Sequence, residues 1–343
     1  MMRINSMLRY AVLSVCLLFS LTALGANKIP MTQSQFINHM VSKHKFNRTS
    51  LQQLLNQAKK KDNVIKYMGK PRKPGQAKPK PLAWYKYRRR FITDRHMKTG
   101  SAFWQRNAKT LAAAERQFGV PQEVIMGIIG VETIYGEYMG TFRIIDALNT
   151  LAFHYPRRAA YFVKELEHYL LMTREQKLNP LKLKGSYAGA MGLGQFMPSS
   201  YRKYAIDFDG NGVADIWRSE TDAIGSVANY LKAHGWQRGK SVITATQINP
   251  KYKKYLEDLG MKPTVTLKHL KQRGALYHGS EKNNTPATII DLRSEQGMAY
   301  WVGFQNFYVI TRYNHSKRYA MAVYQLGQTL KEHLCTRKNL YCN

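Results

Sequence analysis

The chain has 343 residues, with 53 Lys and Arg against 21 Asp and Glu, a formal net charge of +32. At 44% hydrophobic and 12% aromatic it can bury a sizeable core, which excludes a wholly disordered basic tail. The charge says nothing about fold, but it points to polyanionic partners: nucleic acid, an acidic membrane surface or an anionic polymer.

The first 26 residues choose among these. Arg3 and Arg9 make a positive start, Ala11 to Leu24 is almost wholly apolar, and Ala23-Leu24-Gly25-Ala26 supplies small residues for cleavage. Residues 1–26 therefore read as a secretory signal peptide. The apolar run falls short of the ~20 residues a spanning helix needs. Cys16 is a poor site for lipid attachment, because the preceding Leu13-Ser14-Val15 ends in a bulky residue. Cleavage leaves Cys335 and Cys342, which either close a small loop in an oxidising compartment or stay as two thiols. Export also demotes nucleic acid as a partner.

Met31 to Lys66 reads as short helices with Leu51, Leu54 and Leu55 on one face. Between Lys59 and Lys98 stand fifteen Lys and Arg against Asp62 and Asp94. Within that stretch, Lys70 to Pro81 is a Pro/Lys-rich linker, unable to form a helix or a buried strand. Apolar spacing is helical from Phe103 to Phe118, from Val120 to Val131 and from Arg157 to Leu171. Ala223 to His234 gives another helix, stopped by Gly235. From Val242 to Arg312 the texture changes. Short runs such as Ala287-Thr288-Ile289-Ile290 and Tyr308-Val309-Ile310-Thr311 alternate with Gly, Asn and Pro, which predicts strands. Tyr319 to His333 returns to helix. The expectation is a predominantly α-helical α+β chain. Its parts are a helical N-terminal lobe over 27–115 that includes the linker, a core over 116–237, a small β-rich lobe over 238–318, and a C-terminal helix and tail over 319–343.

One carboxylate falls on an apolar face. Val124, Ile125, Ile128 and Ile129 form the buried stripe of the helix opened by Val120-Pro121, and Glu132 continues it. Loss of water there favours the protonated form that a general acid needs. Gly127, Gly130, Gly136 and Gly140 let another surface approach the backbone. A denser run, Gly185 to Pro198, suggests a backbone packed close to a ligand. Gln195 follows its last glycine, where a phosphate loop would need Lys and Ser or Thr, so this is not a nucleotide loop.

A second cluster is Asp207-Phe208-Asp209-Gly210-Asn211-Gly212-Val213-Ala214-Asp215. Its oxygen ligands at positions one, three, five and nine, the Gly at six and the Val213 carbonyl at seven reproduce the start of an EF-hand loop. This spacing calls for a hard cation, Ca²⁺, in a stabilising role. Position twelve is Arg218 rather than Glu, leaving Glu220 or Asp222 to complete the shell. The alternative is a metal-free Asx turn.

In order along the chain, Gly130-Val131-Glu132-Thr133-x-Tyr135-Gly136, Asp146-Ala147-Leu148, Tyr155-Pro156-Arg157-Arg158, Gly189-Ala190-Met191-Gly192-x-Gly194-Gln195-Phe196-Met197-Pro198, Asp222-Ala223-Ile224-Gly225-Ser226 and Thr311-Arg312-Tyr313-Asn314-His315-Ser316 resemble the lytic murein transglycosylase B family. The likeness spans roughly residues 83 to 330. It implies a periplasmic enzyme with a lysozyme-like core that cleaves between N-acetylmuramic acid and N-acetylglucosamine, yielding 1,6-anhydromuramoyl ends. Such an enzyme uses one Glu, here Glu132, and the substrate's own acetamido group, an exception to the usual carboxylate pair. It further implies sugar contacts from Ser186 and Gln195, and a cleft lined by Tyr87, Tyr230, Tyr313, Asn314 and Tyr319. Arg157 and Arg158 would bind peptide-stem carboxylates. Asp222 would be the last ligand in the Ca²⁺ set of Asp207, Asp209, Asn211 and Val213. No organic cofactor is implied. The partners implied are peptidoglycan strands, wall-synthesis proteins and anionic envelope surfaces, with the enzyme acting as a monomer. The rival readings are a hydrolytic muramidase of the same fold and a non-catalytic wall-binding protein.

Overall fold

The computed structural model describes residues 29–69 and 82–338. The signal peptide, Cys16, the linker from Lys70 to Pro81 and Cys342 lie outside the described residues. Cys335 is disulfide-bonded. No helix among the described residues is long and apolar enough to cross a membrane.

The chain begins with α1 (Gln33–His44), α2 (Arg48–Asn56), α3 (Asp62–Met68), α4 (Trp84–Arg88), α5 (Asp94–Arg106), α6 (Ala108–Phe118) and α7 (Gln122–Thr133). Next come β1 (Phe142–Arg143), α8 (Ile144–His154), α9 (Ala159–Glu175), β2 (Lys184–Gly185), α10 (Pro198–Tyr204) and α11 (Glu220–Ala233). The remainder is β3 (Ile243–Thr246), α12 (Lys253–Glu257), β4 (Val265–Thr266), α13 (Leu267–Gln272), β5 (Pro286–Ser294), β6 (Gly297–Gly303), α14 (Gln305–Tyr313) and α15 (Lys317–Lys338). The fold is thus mainly helical with small antiparallel sheets, as expected.

Two compact units divide the described residues, one of 29–69 with 136–223, the other of 82–135 with 224–338. In the first, α3 and α9 pack on α8, and α10 packs on α9. Phe36, Met40, Leu51, Leu55, Ile144, Leu148 and Phe162 fill its interior. On α2 Leu51 and Leu55 are buried as their spacing predicts, while Leu54 of the same predicted face is half-buried. Thr32 caps α1 in a reciprocal capping box with Gln35, which satisfies two otherwise orphaned donors.

In the second unit, α7 lies against α15. The contact is between backbones. A Cβ at Gly127 would collide with the Val323 carbonyl, and one at Gly327 with the Glu123 carbonyl. Both collisions are with main chain, which cannot yield as a flexible side chain can. Gly127→Val is therefore expected to destabilise by about 2–3 kcal/mol or more, read as a lower urea midpoint at unchanged slope.

The four-stranded sheet of this unit has the order β3-β6-β5-β4, antiparallel throughout. Ile289 faces Val302 and Ile290 faces Trp301 across the β5–β6 pair. Helices α12 and α13 contact β5, as do α4 and α15. Cover on both faces explains why Ala287, Thr288, Ile289 and Ile290 are all buried in succession.

Two elements differ from the sequence reading. Tyr308-Val309-Ile310-Thr311 is part of helix α14, not a strand. Burial of Phe307, Val309, Ile310 and Thr311 overrides their β-preference. Asn306 fixes the helix start by donating to the carbonyls of Gln237 and Lys240. The helical run from Phe103 to Phe118 is broken at Asn107, whose buried amide donates to the Phe103 carbonyl and separates α5 from α6.

Candidate active site

Glu132 is the penultimate residue of α7 and is half-buried. Just beyond it the chain turns sharply, with Ile134 at φ 51° and Tyr135 at φ 57°. A β-branched residue in the left-handed region costs on the order of 1–3 kcal/mol. The turn is held by the Ile134 N–H donating to the Gly130 carbonyl at 3.0 Å, and by burial of Tyr135, whose ring fills the space beside Gly100 and Gly130. The backbone strain is thus concentrated beside the carboxylate.

The Tyr319 hydroxyl, on α15, donates to Glu132 Oε1 at 2.6 Å. Tyr319 is 1% exposed and lies parallel to Tyr313, with ring centroids 6.5 Å apart. Burial and the Glu132 charge push the phenols of Tyr319 and Tyr313 well above their ordinary range. Tyr87 is pushed up to about 12 by burial and by Glu132, against the opposing charges of Arg318 and Arg90. All three stay protonated at neutral pH, so each can act only as a neutral neighbour or donor to the carboxylate. Arg318 lies over the Tyr87 ring at 5.4 Å.

Tyr230 packs against Tyr313 at 4.7 Å, stacks on His234 at 4.0 Å and donates to the Arg312 carbonyl. Asn314 is buried at the C-terminal end of α14. The second unit therefore gathers Glu132, Tyr87, Tyr230, Tyr313 and Tyr319 into one cluster. With Tyr87 and Tyr230 each 7% exposed, these rings are built into the wall around the acid rather than displayed as flat platforms.

Ser186, Gln195, Arg157 and Arg158 belong to the first unit. Ser186 is buried, and its oxygen accepts the Ala190 N–H at 3.0 Å. Gln195 sits at φ 51°, and its amide donates to the carbonyls of Met139 and Gly192. The glycines before it serve the chain itself. A Cβ at Gly185 would meet the Ala190 carbonyl, and one at Gly192 the Ile216 carbonyl. The close approach read as room for a ligand is backbone against backbone. Arg157 is exposed, whereas Arg158 lies over the Tyr161 ring at 4.3 Å.

One residue escaped the sequence reading. Glu165, 3% exposed on α9, accepts from the N–H and hydroxyl of Ser199 and so anchors the chain directly after Gln195-Phe196-Met197-Pro198. Burial raises its carboxyl, against the lowering effect of those two hydrogen bonds. It lies within the apolar stripe of Phe162, Leu166 and Tyr169, the same signal that singled out Glu132.

Asp207, Asp209 and Asp222 bring carboxylate oxygens within 4.8 Å of one another. Asp222 is fully buried and accepts the N–H groups of Phe208, Asp209 and Asp215. Asp207 accepts from Gly210, Asn211 and Gly212, and those bonds bring its carboxyl below the usual range. Asn211 accepts from Val213 N–H, and the Val213 carbonyl accepts from Asp215. Asp215 is paired with Arg218 at 2.7 Å. Three converging carboxylates repel one another, so the donor set fits a bound cation with a preference for oxygen.

Residues 31–328 match the Transglycosylase SLT domain family. A relative from Escherichia coli (strain K12), membrane-bound lytic murein transglycosylase B, is 48% identical over 300 residues, covering 86% of this chain and 81% of the relative. The solved soluble lytic transglycosylase SltB1 from Pseudomonas aeruginosa, in its catenated form, is 43% identical with a TM-score of 0.81 over 90% of this chain and 98% of its own. Escherichia coli Slt35, solved in complex with calcium, is 46% identical with a TM-score of 0.76 over 87% and 91% of the two chains. Together with the carboxylate at the end of α7 and the tyrosines around it, these likenesses show that the chain belongs to the lytic murein transglycosylase B family of peptidoglycan-cleaving enzymes.

Proposed function

We propose that Glu132 alone serves as acid and then base in a transglycosylation that consumes no water. Its protonated carboxyl gives a proton to the oxygen between N-acetylmuramic acid and N-acetylglucosamine, and the C1–O bond breaks. The 2-acetamido oxygen of the muramic acid residue bonds to C1 and carries the positive charge. Glu132, now a carboxylate, takes the proton of the C6 hydroxyl. That oxygen attacks C1, releases the acetamido group and closes the 1,6-anhydro ring. The observation that carries this reading is the Tyr319 bond to Glu132 Oε1, which fixes one oxygen and orients the other. A buried neutral phenol suits a carboxyl that must change protonation state twice, because it stabilises the anion without a full charge.

In the second unit Tyr313 and Asn314 contact the sugars, with Tyr230 packed against Tyr313; in the first unit the family likeness assigns sugar contacts to Ser186 and Gln195 and peptide-stem carboxylates to Arg157 and Arg158. The decisive experiment is incubation with purified peptidoglycan followed by mass analysis of the soluble fragments. Anhydro products are one water lighter than those of a hydrolytic muramidase. Reducing ends in their place would overturn the transglycosylase mechanism.

Asp207, Asp209, Asn211, the Val213 carbonyl and Asp222 hold Ca²⁺, consistent with the calcium complex of the Slt35 relative. The ion supplies charge neutralisation within the loop and takes no part in the chemistry. The signal peptide directs the enzyme to the periplasm, where its net positive charge favours adhesion to anionic wall and membrane surfaces. Sacculus binding is therefore expected to fall steeply as NaCl is raised from 50 to about 500 mM, measured by co-sedimentation. Binding independent of salt would remove the charge from this account.

A further inference from the structure

A second cluster of metal-ligating side chains lies in the first unit, between α1 and α9. His44 Nε2 is 2.6 Å from Glu167 Oε1, and His39 Nε2 is 3.2 Å from Glu167 Oε2. One imidazole thus meets each oxygen of a single carboxylate, and the three donor atoms lie within 4.8 Å of one another. From the geometry we infer that His39, His44 and Glu167 form a binding site for a borderline transition-metal ion such as Zn²⁺, distinct from the calcium loop.

Residue type argues for the class of ion. Two neutral imidazoles and one carboxylate make an N₂O set, which suits Zn²⁺ and is poor for Ca²⁺, an ion that takes oxygen ligands. Tetrahedral zinc with bonds of about 2.0–2.1 Å needs ligand atoms roughly 3.3 Å apart. The His39–Glu167 distance of 3.2 Å is already near that value, whereas the 2.6 Å His44–Glu167 hydrogen bond must open by about 0.7 Å for the ion to enter, with water at the fourth position.

Access is open. The side chains of His44 and Glu167 are 17% and 15% exposed, that of His39 is 32% exposed. The third partner of Glu167 is Lys43 at 3.1 Å, with 57% of its side chain exposed. An ion pair so open to water is worth little, and an arriving cation displaces it. Lys43 is then a brake on affinity, since its charge opposes the incoming ion. The ion would tie α1 to α9, a link within one unit and apart from the sugar chemistry.

The test is titration of the purified protein with Zn²⁺ by calorimetry, in buffer saturated with CaCl₂ so that the carboxylate loop is occupied. Co²⁺ supplies a visible spectrum that reports nitrogen ligation. The expected result is one tight equivalent of Zn²⁺ and a raised melting temperature. In His39→Gln and His44→Gln, which keep a hydrogen-bond donor toward Glu167, affinity falls at least tenfold, the melting increment disappears and peptidoglycan cleavage is unchanged. Lys43→Gln is expected to tighten binding severalfold. No tight equivalent in the wild type, or Zn²⁺ affinity equal in wild type and both histidine variants, overturns the site. Because cleavage is measured on the same variants, failure here is separable from failure of the Glu132 reading.

Discussion

Glu132→Gln leaves sacculus binding intact and lowers release of anhydro-muropeptides by on the order of 10³-fold or more, as judged by mass analysis of soluble fragments. The size follows from the two roles assigned to one group. A positioned acid or base contributes roughly 10²–10⁴-fold, and Gln can neither give nor take the proton. Gln keeps the volume and can still accept the Tyr319 hydrogen bond at its carbonyl, so the pocket is undisturbed. Tyr319→Phe is the informative companion. It removes the 2.6 Å bond and leaves the ring packed beside Tyr313, so a loss of kcat with little change in KM is expected. Full activity in Glu132→Gln would remove it as the acid.

Asp222→Ala is expected to cost about 3 kcal/mol even in chelator, and to abolish the rise in melting temperature expected of the wild type in Ca²⁺. Three N–H groups, of Phe208, Asp209 and Asp215, donate to this one buried side chain. Removal of their acceptor leaves donors only partly reachable by water, each costing about 1 kcal/mol or more. Asp209→Asn separates the two effects. Asp209 is exposed, accepting from the Asn211 N–H and the Ser219 hydroxyl, so its loss changes the metal-free protein little. It should nonetheless lose the calcium increment. Equal melting of wild type and Asp209→Asn in Ca²⁺ would show that this carboxylate holds no ion.

Which parts were legible in the residues depended on the range of the interaction. The stripe Val124, Ile125, Ile128, Ile129 marked a buried helix and placed Glu132 on its face, because helical periodicity is local. The Asp207–Asp215 spacing marked an oxygen-rich turn for the same reason, and the carboxylates of Asp207 and Asp209 converge with that of Asp222. Glu165 carried an equivalent signal within α9, yet only its bonds to Ser199 give it meaning. Tyr308–Thr311 misled, since β-preference is weak and burial around α14 decided the matter. The chain's two units each combine segments distant in sequence, 29–69 with 136–223 and 82–135 with 224–338, and no linear change of texture announces that.

The sequence by itself determined the chemistry available. It supplied one carboxylate on an apolar helix face, an oxygen-rich loop, a long basic stretch, and an ordered series of motifs that identifies the family. Only the tertiary structure decided what surrounds them. Tyr319 reaches Glu132 from 187 residues away because Gly127 and Gly327 let α7 and α15 touch backbone to backbone. His39 and His44 on α1 meet Glu167 on α9 across more than 120 positions through side-chain hydrogen bonds that the fold of the first unit brings together. Spacing encodes a helix face or a turn, but partners that distant are selected by the burial that brings two helices together.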